Sequence, residues 1–152
     1  MRNLVAAALL FGCASTNTIQ GTKIPDTEEN RAILKTIERY RQAMERRDVV
    51  LLVALAHPWY TEHSATGNGQ YDYGYEGLKK VIQTRMAALK GVRYGLEYRS
   101  ITRKANRAYV EVFIDASYRM VAENGDLWER KTDYNRFELL WDGKSWRFLS
   151  GM

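Results

Sequence analysis

The sequence predicts one α+β domain with the element order α-α-β-α-β-β-β-β. Apolar residues recur at helical spacing as far as Leu89, and at alternating spacing after it. Helical patterns dominate the first half and strands the second, which places helices as a layer over one sheet face. A length of 152 residues suits one hydrophobic core and does not comfortably supply two.

Asp26 and Glu29 stand at capping-box spacing behind Pro25, and Ile33, Ile37, Tyr40 and Met44 follow on one helical face. Glu28 and Glu29 at the start and Arg46 and Arg47 at the end suit the helix dipole, so the first helix is expected over 27–46. Asp48 caps a second helix, Val49 to Ala56, which stops before His57-Pro58 because the residue before proline avoids helix. Trp59 to Ala65 reads as a short strand and Gly67 to Gly74 as a loop. Leu78, Val81, Ile82, Met86 and Leu89 mark a third helix, with Gly91 as its terminator. Strands follow over Val92–Arg103, Arg107–Val121, Leu127–Trp141 and Ser145–Leu149. Their turns are Ala105-Asn106, Asn124-Gly125 and Asp142-Gly143. In the second of these strands Ala108, Val110, Val112, Ile114, Ala116 and Tyr118 share one face.

The N-terminus reads differently. Arg2 is a minimal basic region, Leu4 to Phe11 is a short apolar run, and Leu10-Phe11-Gly12-Cys13 closes it. The run suits a signal peptide and is too short to span a bilayer. The ending resembles a bacterial lipobox, with Leu10 and Gly12 matching and Phe11 bulkier than the pattern prefers. The resemblance implies cleavage after residue 12, lipid on Cys13, and a tether over 13–24 ahead of a domain over 25–152. It places the chain on the bacterial cell envelope, and Ala14-Ser15 after the cysteine fits sorting to the outer membrane, facing the periplasm. Acyl chains would then supply the membrane attachment. Cys13 is the only cysteine, so none remains for a disulfide, a thiolate nucleophile or a thiolate metal site.

Loss of residues 1–12 leaves 22 basic against 18 acidic residues, a net charge of about +4. The basic residues are interspersed with acidic ones, which argues against nucleic-acid binding. His57 and His63, the only histidines, fit no zinc spacing. Neither a metal nor any other cofactor is expected, and no phosphate-binding glycine motif or hydrolase elbow is present.

The helix Ala32 to Arg47, the break at Asp48, the helix Val49 to Ala56, the loop into Gly77-Leu78 and the closing strands through Trp141 to Phe148 together resemble the nuclear transport factor 2-like superfamily. SnoaL-like proteins and ketosteroid isomerase-like enzymes belong to it. The resemblance spans about residues 25–150 and implies a cone-shaped, curved antiparallel sheet packed against the three helices, with a pocket at its wide end. It also implies a homodimer through the outer sheet face, where Tyr109, Phe113, Trp128 and Tyr134 fall.

The isomerase-like enzymes place an oxyanion-stabilising tyrosine on the first helix. Tyr40, eight residues before Asp48, matches; its plainer account is a core aromatic with a satisfied hydroxyl. The family's carboxylate base falls near His63 or Ser64, and its second acid near Asn135 or Asp133. His63 is the candidate base by its ordinary pKa, with Glu62 beside it on the opposite strand face. Tyr73, in the tyrosine-rich loop 71–75, is expected at the pocket mouth, and Trp59, Tyr118 and Phe137 among the residues that line or fill the pocket. The leading expectation is a non-catalytic, membrane-tethered domain binding a small apolar ligand or an envelope protein. The alternative is a small isomerase, cyclase or hydratase using Tyr40 and His63. A pocket holding a polar pair favours the enzyme; one packed with Trp59, Tyr118, Phe137, Trp141 and Trp146 favours the binding domain.

Overall fold

The computed structural model describes residues 17–63, 69 and 72–152. The expected signal peptide, Cys13 and the first residues of the expected tether lie outside them, as do Ser64 and Tyr71. Helix α1 spans Glu28–Arg46 and helix α2 Val49–Leu55. Two dipeptide strands follow, β1 (Thr61–Glu62) and β2 (Tyr73–Gly74), then helix α3 (Tyr75–Ala88). Four strands close the domain: β3 (Leu89–Lys104), β4 (Arg107–Ala122), β5 (Gly125–Trp141) and β6 (Trp146–Ser150). The last four form one open antiparallel sheet in sequence order, while β1 and β2 pair separately. The architecture is the expected α+β one, with one further strand: Tyr73-Gly74, read as loop, pairs with Thr61-Glu62. Among the described residues no helix is long and apolar enough to cross a membrane.

Local chemistry explains the boundaries. Thr27, not Asp26, caps α1 by accepting from the Asn30 backbone N–H at 3.1 Å. Asp26 instead pairs with Arg31 at 3.2 Å. Asp48 caps α2 as expected, accepting from the Leu51 N–H at 2.9 Å. Helix α3 ends at Ala88 without a glycine cap. Gly91 sits in β3, beside a register shift between Leu89 and Gly91 where the strand enters the sheet. The turn between β4 and β5 lies one residue earlier than expected: Ala122 pairs with Gly125, which leaves Glu123-Asn124 as the loop and Gly125 at φ 113°. Glycine takes that left-handed backbone without a Cβ clash.

One core joins the layers. Ile33, Ile37, Tyr40 and Ala43 of α1 meet Val110 and Val112 of β4, Phe137 and Leu139 of β5, and Phe148 of β6. The alternating face predicted for Arg107–Val121 is the inward face of β4. Helix α1 also satisfies the free edge of β3: Glu45 accepts from the Tyr94 N–H at 3.1 Å, and Arg41 donates to the Tyr94 carbonyl at 3.4 Å. These bonds fix Tyr94 opposite Tyr40.

Candidate functional site

Burial alternates along the 59–63 segment, although only Thr61–Glu62 of it is strand. Tyr60 is fully buried, and Glu62, two residues on, shares its face. Trp59, Thr61 and His63 are exposed. The expected base is therefore on the wrong side. The His63 side chain is 76% exposed, and its Nδ1 lies 3.0 Å from Asp72. Trp59 is 73% exposed, packs edge-on against His57, and is not on the wall of the cavity that Glu62 lines. The inward carboxylate is Glu62.

Glu62 lines a cavity of about 280 Å³. Tyr40 and Met44 of α1, Tyr73, Arg85 of α3, Tyr94 of β3, Ile114 and Tyr118 of β4 and Asn135 of β5 form the rest of its wall, with Gly151 and Met152 at its edge. Four of the expected pocket residues, Tyr40, Tyr73, Tyr118 and Asn135, thus converge. Phe137 does not: it is wholly buried and holds the Tyr40 ring from beneath at 5.5 Å, with Phe148 at 5.2 Å. Trp141 and Trp146 line a separate cleft beside the start of α1.

The polar groups of the cavity form two sets. In the first, the Tyr60 hydroxyl donates to Glu62 Oε2 in a short hydrogen bond, and the Gly151 N–H donates to the same oxygen at 3.0 Å. The Met152 N–H donates to the Tyr60 hydroxyl at 3.0 Å, and Asn135 Nδ2 to the Gly151 carbonyl at 2.8 Å. Asn135 thus positions the segment that holds the carboxylate. Among the described residues both bonds to Glu62 end on Oε2, and Oε1 takes none.

In the second set, the hydroxyls of Tyr40 and Tyr94 lie 3.4 Å apart. Burial holds the Tyr40 phenol well above its ordinary pKa, and the Tyr94 phenol opposes its ionisation further. Burial pushes Tyr94 up to about 12, against the opposing effects of its bond to Tyr40 and of the Arg85 guanidinium. Both phenols are therefore protonated donors at neutral pH. A carboxylate with one open oxygen and a pair of protonated phenols on the same cavity wall can accept a proton from a bound molecule and donate a hydrogen bond to it. Among the described residues no three His, Cys, Asp or Glu side chains converge as metal ligands would.

Tyr60, Arg85, Tyr94, Gly151 and Met152 were not anticipated. Tyr94 was discoverable, since it alternates with Val92 and Leu96 in a strand whose inner face is apolar. Tyr60 was the missing key to Glu62, because a buried aromatic two residues earlier sets the face of the carboxylate.

No family model matches the sequence, and no curated protein matches it. Solved structures do match in shape. A protein of Streptomyces avermitilis from the nuclear transport factor 2-like family, provisionally assigned as a dehydratase, superposes with a TM-score of 0.69 at 12% identity over 81% of this chain and 93% of its own. A provisionally assigned scytalone dehydratase of Novosphingobium aromaticivorans gives 0.66 at 18% identity, over 81% and 80%. A provisionally assigned aromatic ring hydroxylase of the same organism gives 0.68 at 16% identity, over 82% and 86%. At these identities the likeness is one of fold: the chain has the nuclear transport factor 2-like fold.

Proposed function

We propose that this chain is an enzyme of the cell envelope that moves a proton on a small ligand held in the cone, in an isomerisation or in the elimination of water. The observation that carries this reading is the inward Glu62, on the same cavity as the Tyr40–Tyr94 pair. Glu62 Oε1 takes a proton from a carbon next to a carbonyl, the C–H electron pair moves into that carbonyl, and the oxygen that gains charge receives a hydrogen bond from a protonated phenol. In an elimination the same electron pair expels a hydroxyl, which leaves as water with the proton that Glu62 has taken up. The provisional dehydratase assignments of two fold neighbours are in keeping with this chemistry.

The test is a turnover screen of enolisable carbonyl compounds and β-hydroxy carbonyl compounds on the full chain. Glu62→Gln should lower turnover by roughly 10²–10⁴-fold without moving the unfolding midpoint, while His63→Ala leaves it unchanged. Turnover that survives Glu62→Gln, or that vanishes with His63→Ala, overturns the assignment of the base. Ligand binding with no turnover in the wild type would favour a binding domain. The observation behind that second reading is Gly151-Met152 at the cavity edge, already bonded to Tyr60 and Glu62.

The envelope location rests on the Leu10 to Cys13 pattern. Full-length protein made in cells fed radiolabelled palmitate should be labelled and membrane-bound, and Cys13→Ala should release it unlabelled. A soluble, unlabelled wild type would end the lipoprotein reading and leave the cavity chemistry untouched.

A further inference from the structure

Two opposite charges face the 280 Å³ cavity and do not pair. Glu62 enters from β1, where Tyr60 and Gly151 hold its carboxylate. Arg85 enters from α3, on the flank of the stripe Leu78, Ile82 and Met86 that anchors this helix in the core. Among the described residues the Arg85 side chain makes no hydrogen bond and no ion pair. The nearby acids leave it free: Glu129 and Asp133 border the adjoining cleft of about 630 Å³ that Arg85 also lines, and Glu129 is held by Lys131 at 3.3 Å. The guanidinium lies within electrostatic reach of three cavity phenols, since it opposes the effect of burial on Tyr73, Tyr94 and Tyr118.

We infer that the ligand of this cavity is a monocarboxylate, its carboxylate seated on Arg85 and its reacting end at Glu62. The inference rests on the proton-transfer reading above. Arg85 is exposed at the cavity rim, and a neutral ligand beside it offers the guanidinium nothing in place of the water it displaces. A carboxylate matches the planar guanidinium through two parallel hydrogen bonds. One arginine, with no lysine among the described residues of the cavity wall, suits a single negative charge better than a phosphate dianion. A second carboxylate on the ligand would face Glu62 and be repelled, so the far end must be uncharged. The volume of about 280 Å³ lies near the lower limit of ordinary small-molecule pockets, which suits a compact aryl or alkenyl acid.

Matched probes test this on the full chain: benzoate against benzamide, and trans-cinnamate against trans-cinnamamide, by titration calorimetry and ligand-observed NMR. Each acid should bind about tenfold or more tightly than its amide. Arg85→Gln should abolish that preference and Arg85→Lys should restore part of it. Glu62→Gln should keep the preference and tighten the acids. Because the Arg85 side chain bonds to nothing among the described residues, its variants should fold, and an unchanged unfolding midpoint confirms it. Amides binding as tightly as acids, or a preference that survives Arg85→Gln, would overturn the inference. If neutral carbonyl compounds are turned over in a Glu62-dependent way without any preference for acids, the carboxylate inference fails alone. If no probe binds and no compound turns over, both fail.

Discussion

Strand β5 passes through two environments. From Gly125 to Tyr134 every residue is exposed, whereas Phe137, Leu139 and Leu140 are buried. Strand β4 repeats the contrast in reverse, from buried Ala108, Val110 and Val112 to Val121 at 65% exposure. The helices cover only the buried stretches of the two strands. From Ile114 onward the inner sheet face meets the ends of α1 and α3 across an open cleft, and its inward positions on β5 become Asp133, Lys131 and Glu129. The side chains follow the cover: apolar under the helices, ionic where water reaches. The groups proposed to react sit at the boundary, where the packed core anchors Tyr40 and the cavity opens beside it. The contrast shows that one continuous strand can be scaffold at one end and solvated rim at the other.

The largest expected effect separates the two halves by stability. Phe137→Ala removes a fully buried ring that touches Tyr40 and Phe148, and should destabilise the fold by about 3–5 kcal/mol. Trp128→Ala, in the open half, loses contacts with Arg93 and Arg119 and should cost under about 1 kcal/mol. Urea unfolding of the two variants measures this directly. Equal losses would mean that the open half is covered in solution.

A smaller effect appears with alkali. The Tyr94 phenol is pushed up to about 12 by burial, while an unfolded tyrosine ionises near 10. The unfolded chain therefore loses its proton first. The stability tied to Tyr94 is complete below about pH 10 and is lost as pH rises through about 12, an amount of roughly 2–3 kcal/mol. Tyr94→Phe should flatten the fall in unfolding free energy between those pH values. Parallel slopes for wild type and variant would show that Tyr94 ionises without unfolding the covered half.

The smallest effect on folding falls on the outer face of the open half. Phe113 and Tyr134 pack at 5.1 Å there, and Tyr134 is 70% exposed. Exposed rings gathered on one face are what a partner covers, and we expect a second copy of this chain. Sedimentation of the protein from Thr22 onward should show a dimer at micromolar concentration, and Tyr134→Glu should shift it to monomer with the unfolding midpoint of the monomer little changed. A strict monomer in the wild type would leave the outer face a solvated surface.

Much of this molecule is periodicity made solid. The helical stripe of α1 and the alternation of β4 are one-dimensional patterns, so their buried faces were legible, and with them Tyr40 and Tyr118. Asn135 and Tyr73 were legible through family likeness. The Glu62–His63 choice was not, because a two-residue strand is too short to declare its own phase. Trp59 looked as apt for burial as Tyr60. The Gly151 N–H reaches Glu62 across 89 residues of chain, and the Met152 N–H reaches Tyr60 across 92. No local pattern announces such bonds.

What the sequence determined alone was the fold class, the order of the helices and long strands, the inward face of those strands and the capping of α2 by Asp48. These follow from backbone periods and short-range hydrogen bonds, which act over a few residues. Tertiary structure decided that Glu62 rather than His63 faces the cavity, that the Arg85 side chain stands on its wall with no partner among the described residues, and that Phe137 is scaffold while Asn135 is wall. Those outcomes depend on which distant surfaces meet when a curved sheet closes over three helices. A charged side chain on a helix flank carries the same sequence signal whether it looks into water or into a cavity, and only the packing of the whole domain separates the two.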